Sequence, residues 1–414
     1  MSQISTTERY LVISADCHGG GNIEDYKPYL AGRWHDDFDA WAATYEIPYE
    51  DMKGPDGDRN WDSNRRLTEL EADGIVAEVI FPNTIPPFFP KASLGDQPPA
   101  ANAGDVEMRW AGLQAHNRWM ADFCADAPGR RAGIAQIMLH DLPAAVAEIR
   151  WAKDNGLTGG VLLPGAPPGS GLPPLYDAAY YEPLWSVCEE LDLTLNHHSG
   201  SAAPVAGENA EDKVVFILEV TWWAHRAFTH LLVSGALERH PGLRLALTEQ
   251  GTAWIPEELT RLDHFFQRFS SAKGSQEMEW GLPIVERMSL KPSEYFARNV
   301  MVGSSFIRPD EVKIRHAVGL DKIMWGSDYP HKEGTLPFTL EALRASFAGI
   351  DPVEVQQMIG LNAARCYGFD LEMLRPIADE VGPRIDDVAT TLPPQSLPPE
   401  AEKCPALVGY GKRS

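Results

Sequence analysis

Short, almost wholly apolar runs alternate along this chain with longer amphipathic stretches, and that alternation constrains the fold more than any other feature. Runs at 10–15, 75–82, 132–139, 159–164, 193–198, 243–249, 299–302 and 323–325 read as strands buried on both faces, because continuous apolarity leaves no solvent side. Between them, apolar positions at helical spacing predict helices over 63–73, 108–125, 142–155, 180–191, 213–239, 254–269 and 310–318, with a closing helix over 352–366. Strand and helix in strict alternation mean an α/β parallel sheet. An open doubly wound sheet would carry a phosphate-binding glycine loop after its first strand. Here Gly19-Gly20-Gly21 lacks that spacing and follows a histidine, so a (β/α)8 barrel is favoured.

The expected organisation is one barrel domain over 1–378, with irregular insertions at about 33–64, 83–105 and 270–295. A Pro-rich tail over 379–414 is expected to be free or draped over a partner. With 44% hydrophobic residues the chain can bury a large core. Its formal net charge of −23 repels nucleic-acid phosphates and anionic membrane surfaces, which leaves a small molecule as the expected partner. The five cysteines are widely spaced with no Cys-x-x-Cys pair, which suits a reducing cytoplasm rather than a disulfide framework. No apolar secretory segment follows the N-terminus and no run is long enough to span a bilayer, so a cytoplasmic location is expected.

Several strands end in side chains that bind metals. Asp16 and His18 close the first, and their spacing puts both on one face with Cys17 on the other. In the strand at 193–198, Thr194, Asn196 and His198 form the polar face, which favours His198 as the ligand and leaves His197 to packing or support. Glu249 closes the strand at 243–249. Asp328 follows the strand at 323–325 within Gly326-Ser327-Asp328-Tyr329-Pro330-His331, where Gly and Pro hold the carboxylate in a tight turn. Hard or borderline donors at several strand ends are how a barrel builds a metal site on its top face. Such a carboxylate can also take a proton from a metal-bound water. Taken singly, each has a plainer reading as a cap or a buried histidine. His225, His230 and His240 read as packing or surface residues. The tryptophans of the insertions either wall a pocket or pack a loop.

Taken in order, Asp16-x-His18, His198, Glu249 within Thr248-Glu249-Gln250-Gly251-Thr252-Ala253-Trp254-Ile255-Pro256, Gly326-Ser327-Asp328-Tyr329-Pro330-His331 and Leu361-Asn362-Ala363-Ala364-Arg365 resemble the amidohydrolase superfamily. The closest likeness is to its amidohydrolase-related branch, which includes aminocarboxymuconate semialdehyde and resorcylate decarboxylases. The resemblance covers roughly residues 10–370. It implies a distorted TIM barrel and a divalent metal (Zn, Mn or Fe) held by Asp16, His18, His198 and Asp328. One ion is favoured, because 159–164 offers no bridging carboxylate; a second through Glu249 stays open. Pairing into a homodimer is implied by analogy.

Glu249 stands where the decarboxylases of this branch carry a catalytic histidine, and on that departure the sequence reads as a hydrolase. Asp328 would be the general base directing a metal-activated water at an acyl carbon (amide, ester, lactone or thioester) of a bulky, partly apolar substrate. His331 would stabilise the oxyanion and Glu249 would complete the metal site or carry the proton. The alternative is a metal-dependent decarboxylase or hydratase acting on an aromatic or unsaturated carboxylate. A metal-free scaffold on a degenerate barrel is the reading from a different class.

Overall fold

The computed structural model describes residues 8–47, 52–83, 85–90, 100–166, 169–203, 207, 209–271 and 275–410. Its strand segments are β1 (Ile13–Gly19), β2 (Ala77–Pro82), β3 (Arg131–Gly133), β4 (Ala135–Gln136), β5 (Val161–Leu162), β6 (Thr194–His198), β7 (Arg244–Thr248), β8 (Val300–Ser305) and β9 (Ile323–Gly326). All pair parallel to their neighbours, as the sheet β1-β2-β3 and the sheet β4 to β9 in chain order. Neither seam carries a regular ladder, but backbone hydrogen bonds cross both. At the first, the Ile134 N–H donates to Ile80 O at 3.1 Å while the Ala135 N–H donates to Gly160 O at 2.9 Å. At the second, the Asp328 N–H donates to Asp16 O at 2.8 Å and the His18 N–H to Tyr329 O at 2.6 Å. Since β3 runs into β4 through one residue, this is a distorted (β/α)8 barrel.

Apolar alternation sorts the strand residues into two layers. Ile13, Ala15, Val79, Phe81, Ile134, Leu162, Ala246, Met301 and Met324 come from strands all round the ring and cluster together, so they fill the barrel. Cys366 and Tyr367 from the closing helix join them. Val161, Leu195, Leu247, Val302 and Trp325 face outward against Leu184, Trp185, Phe228, Phe296 and Leu343 of the helices. Several helices start where side-chain caps stand: Asp62, Asn102, Asp141, Asp177 and Asn209 each accept from a first-turn backbone N–H.

Three expected boundaries are corrected. The stretch at 270–295 is largely helical, with Gln276–Val285 and Pro292–Asn299 packed beside Ile255–Ser271. Pro292 occupies a first-turn position, where a missing N–H costs nothing, and Pro283 lies within the helix Gln276–Val285. Within 33–64 lie a helix, His35–Ala42, and a 3-10 segment, Gly54–Asn60. The expected tail start at 379 falls inside the helix Leu371–Val381, and the chain beyond that helix packs on its own barrel. The Tyr10 N–H donates to Pro383 O at 2.9 Å and the Ile385 N–H to Glu8 O at 2.9 Å. Leu392, Ala401, Cys404 and Leu407 are buried against Ala342 and Ala345 of the helix Thr339–Phe347. Parts of the expected insertions (48–51, 84, 91–99 and 272–274) and of the tail (411–414) lie outside the described residues.

Candidate metal centre

At the C-terminal end of the strands, donors from β1, β6 and the turn after β9 converge. Period-two alternation from Ile13 and Ala15 would send residue 16 outward. A register shift between Ser14 and Cys17, closed by the Ser14 Oγ–H donating to Asp16 O at 2.8 Å, re-phases the strand. Asp16 and His18 therefore turn inward while Cys17 joins the outer layer. Glycine at 326 is required beside them, because a Cβ there would lie 2.5 Å from the Asp16 Cβ.

Asp16 Oδ1 lies 3.4 Å from His18 Nε2 and 3.3 Å from His198 Nε2. His18 Nε2 is in turn 3.2 Å from Asp328 Oδ1, and its ring centroid is 4.4 Å from that of His331. Donor atoms of Asp16, His18 and His198 lie within 4.8 Å of one another, and so do those of His18, Asp328 and His331. Asp328 and Glu249 both adopt left-handed backbone angles, φ 59° and 56°, which swing each carboxylate out of its strand's line.

The polar atoms fit a cation. His198 Nδ1 lies 2.8 Å from the Ser199 carbonyl, which can only accept, so Nδ1 carries the proton. The Nε2 lone pair then faces Asp16 Oδ1 at 3.3 Å, and a cation between the two acceptors would satisfy both. His18 Nε2 is buried between the Asp16 and Asp328 oxygens, at 3.4 and 3.2 Å. Burial opposes ionisation of Asp16, while positive charge at His198 and His18 would hold its carboxyl far below the usual range. Two imidazole nitrogens with carboxylate oxygens form a borderline donor set that fits a divalent metal.

Residues without a signal of their own in the sequence support this cluster. The Ser305 Oγ–H donates to Asp16 Oδ2. Phe81, level with His18 across the β1–β2 ladder, packs its ring 5.9 Å from His18 and 4.6 Å from His198, keeping water from behind both. Beneath β1, the Arg66 Nη1–H donates to His18 O at 2.7 Å and pairs with Glu78, which also meets Arg131. Ser305 and Arg66 are silent in the sequence because each acts on a residue from a distant element.

Glu249 belongs to neither donor group. Its Oε2 lies 3.4 Å from His198 Nδ1, the nitrogen on the side away from Asp16. Partial burial pushes its carboxyl up, His198 pulls it down, and Asp328, Asp16 and Glu333 push it up again, for a net position well above the usual range. Its side chain keeps 33% of its surface in solvent. His197 points outward, with Nδ1 2.9 Å from Leu163 O. His225 stacks on Trp254 at 3.6 Å and His240 sits between Glu182 and Glu189. Trp34, Trp41 and Trp61 pack onto the core formed with the helix Ala103–Ala125, so they brace a loop.

The family model described as amidohydrolase matches residues 39–369. A gamma-resorcylate decarboxylase from Rhodococcus jostii is 28% identical over 229 residues, which is 52% of this chain and 64% of that protein. The chain thus matches less than two thirds of that relative's length. The structure resembles 5-carboxyvanillate decarboxylase from Sphingomonas paucimobilis, with TM-score 0.62 and 20% identity over 87% of this chain and all of that one. It also resembles the Novosphingobium aromaticivorans 5-carboxyvanillate decarboxylase complexed with manganese and 4-hydroxy-3-methoxy-5-nitrobenzoic acid. There the TM-score is 0.62 with 18% identity, covering 87% of this chain and 97% of that one. These findings overturn the hydrolase expectation, thioesterase chemistry included: the relatives are decarboxylases, the alternative class. The change from histidine to Glu249 does not argue against that class, because a carboxyl whose pKa is raised can also carry a proton.

Proposed function

The chain is an enzyme of the amidohydrolase family, and on that premise we propose that it is a metal-dependent decarboxylase of a hydroxylated aromatic carboxylate. The likeness to gamma-resorcylate decarboxylase carries this reading, and the placement of Glu249 supports it. Asp16, His18, His198 and Asp328 would hold one divalent ion, and manganese is our choice because it accompanies an aromatic acid in a structure of similar fold. Bound there, the ion supplies positive charge for the anionic oxygens of the substrate.

The remaining steps fall to the chain itself. Glu249, beside His198 and open to solvent, holds a proton and delivers it to the ring carbon that bears the carboxylate. The bond from that carbon to the carboxylate breaks, its electron pair returns to the ring, and carbon dioxide leaves. Glu249 is reloaded through its exposed edge. His331, next to His18, is placed to donate to a substrate oxygen. Phe81 keeps the back of the site dry, which strengthens each charge interaction. The test is carbon dioxide release from 2,6-dihydroxybenzoate and 5-carboxyvanillate by manganese-loaded protein, beside hydrolysis of aryl esters. Carbon dioxide with intact esters is expected; ester turnover without carbon dioxide sinks the proposal.

We further propose a cytoplasmic homodimer. The five cysteines are free and buried, and no helix of the described residues is long and apolar enough to cross a membrane. On the helix Ala210–Ser234, Val214, Ile217, Leu218 and Trp222 form an exposed apolar stripe, Leu218 at 73%. A net charge of −23 opposes self-association, so light scattering should show a dimer that tightens with added salt and that Leu218→Asp splits. A salt-independent monomer is the contrary result.

A further inference from the structure

We propose that a cavity on the outer wall of the barrel, behind the metal centre, binds a small aromatic carboxylate that bears a hydroxyl group. The cavity lies between β6 and the helix Ala210–Ser234 and measures about 240 Å³. His197, Arg226, His230, Trp223, Tyr176 and Ala203 are among its walls. This is below the roughly 300–1,000 Å³ of pockets for drug-sized ligands, so the occupant has a single ring.

Each wall specifies part of that occupant. Alternation along β6 turns His198 to the metal centre and His197 to the opposite side. His197 is 1% exposed, and its Nδ1 proton is committed to the Leu163 carbonyl at 2.9 Å. Its Nε2 is buried with no hydrogen-bond partner, a lone pair that needs an O–H donor. The Arg226 guanidinium lies 4.4 Å from the Trp223 ring centroid and has no carboxylate partner among the described residues, so it can take one negative charge. His230 meets Tyr176 edge-on at 5.2 Å, and with Trp223 these rings suit a flat apolar body. Burial lowers His230 to about 4, so at neutral pH Arg226 supplies the positive charge of these walls. The pocket needs no metal and stands whether or not the proposed decarboxylation does.

Calorimetric titration of the full metal-loaded chain with 4-hydroxybenzoate tests this, in the parent and in Arg226→Gln, Ala203→Leu and His198→Ala. Arg226→Gln removes the charge, Ala203→Leu fills the space, and His198→Ala disables only the metal centre. Expected, apart from any binding at the metal centre, is one binding event per chain that weakens at least tenfold in the first two variants and persists in His198→Ala. Benzoate, which cannot donate to His197, should bind this site about tenfold more weakly than 4-hydroxybenzoate. Parent-like titration in both Arg226→Gln and Ala203→Leu, with thermal unfolding midpoints showing them folded, overturns the proposal. So does loss of all binding in His198→Ala alone, which would place the ligand in the metal centre. Equal binding of benzoate would overturn the hydroxyl requirement. Should Arg226→Gln not fold, Ala203→Leu decides.

Discussion

Ser305 shows how a single hydroxyl can set the behaviour of a charged cluster. Its O–H donates to Asp16 Oδ2, which leaves Oδ1 turned toward His18 and His198. A hydrogen bond to a ligating carboxylate fixes its orientation, and removing such a partner costs about 10- to 100-fold in metal affinity. Ser305→Ala should therefore weaken manganese binding by that factor without loss of fold, read by titration against a metal-sensitive dye. Unchanged affinity would mean that the bulge alone orients Asp16. The ligand candidates themselves are legible in the sequence, because Asp, His and Glu at strand ends stand out against apolar runs. Ser305 is not, because its role exists only where β8 passes Asp16.

Among the elements, the helix Thr339–Phe347 depends on a residue far back in the chain. Asp73, at the end of the helix Ser63–Ala72, accepts from the Thr339 hydroxyl, and its Oδ1 lies 3.4 Å from the Thr339 N–H. Burial raises the Asp73 carboxyl from 3.8 to about 6, opposed by these Thr339 contacts and reinforced by Glu341. Between those two values the folded chain holds more proton than the unfolded one, so this group loses stability as pH rises from about 4 to about 6. Asp73→Asn cannot ionise, so its stability relative to the parent should increase across that window, measured as urea midpoints at each pH. A constant difference would count against the shift. Neither the cap nor the helix is legible in the sequence, since cap and capped residue are separated by most of the barrel.

Over the whole molecule, acid tolerance is set by imidazoles that folding keeps neutral. Burial lowers His116 to about 3 and His197, His225 and His230 to about 4. His116 stacks on Tyr26 with neither ring nitrogen hydrogen-bonded. In each case the unfolded chain binds the proton first, so stability is full above about 6.5 and is lost as pH falls toward 4. The four depressed histidines outnumber the raised carboxyls of Asp73 and Glu249, which act with the opposite sign over part of the same range. The thermal midpoint should therefore fall steadily from pH 7 to pH 4, and His116→Phe should make that fall shallower. A flat midpoint over this range would refute the assignment.

The alternation of apolar runs and helices is enough to specify a parallel α/β barrel, and the chemistry of the strand ends is enough to nominate a metal centre. Both are local, carried by periodicity and residue type. Four things needed the folded chain. The bulge at Ser14–Cys17 reverses which way Asp16 faces, and no pattern shorter than the β1–β2 register records it. Glu249 reads as a ligand from its strand, but its left-handed turn carries it to the far nitrogen of His198. The segment after 379 is polar and proline-rich, yet Leu392 and Leu407 find a surface on the helix Thr339–Phe347. The outer cavity exists because β6 and a distant helix stand apart at His197. Each depends on two segments far apart in sequence meeting at one point, and only tertiary packing sets that.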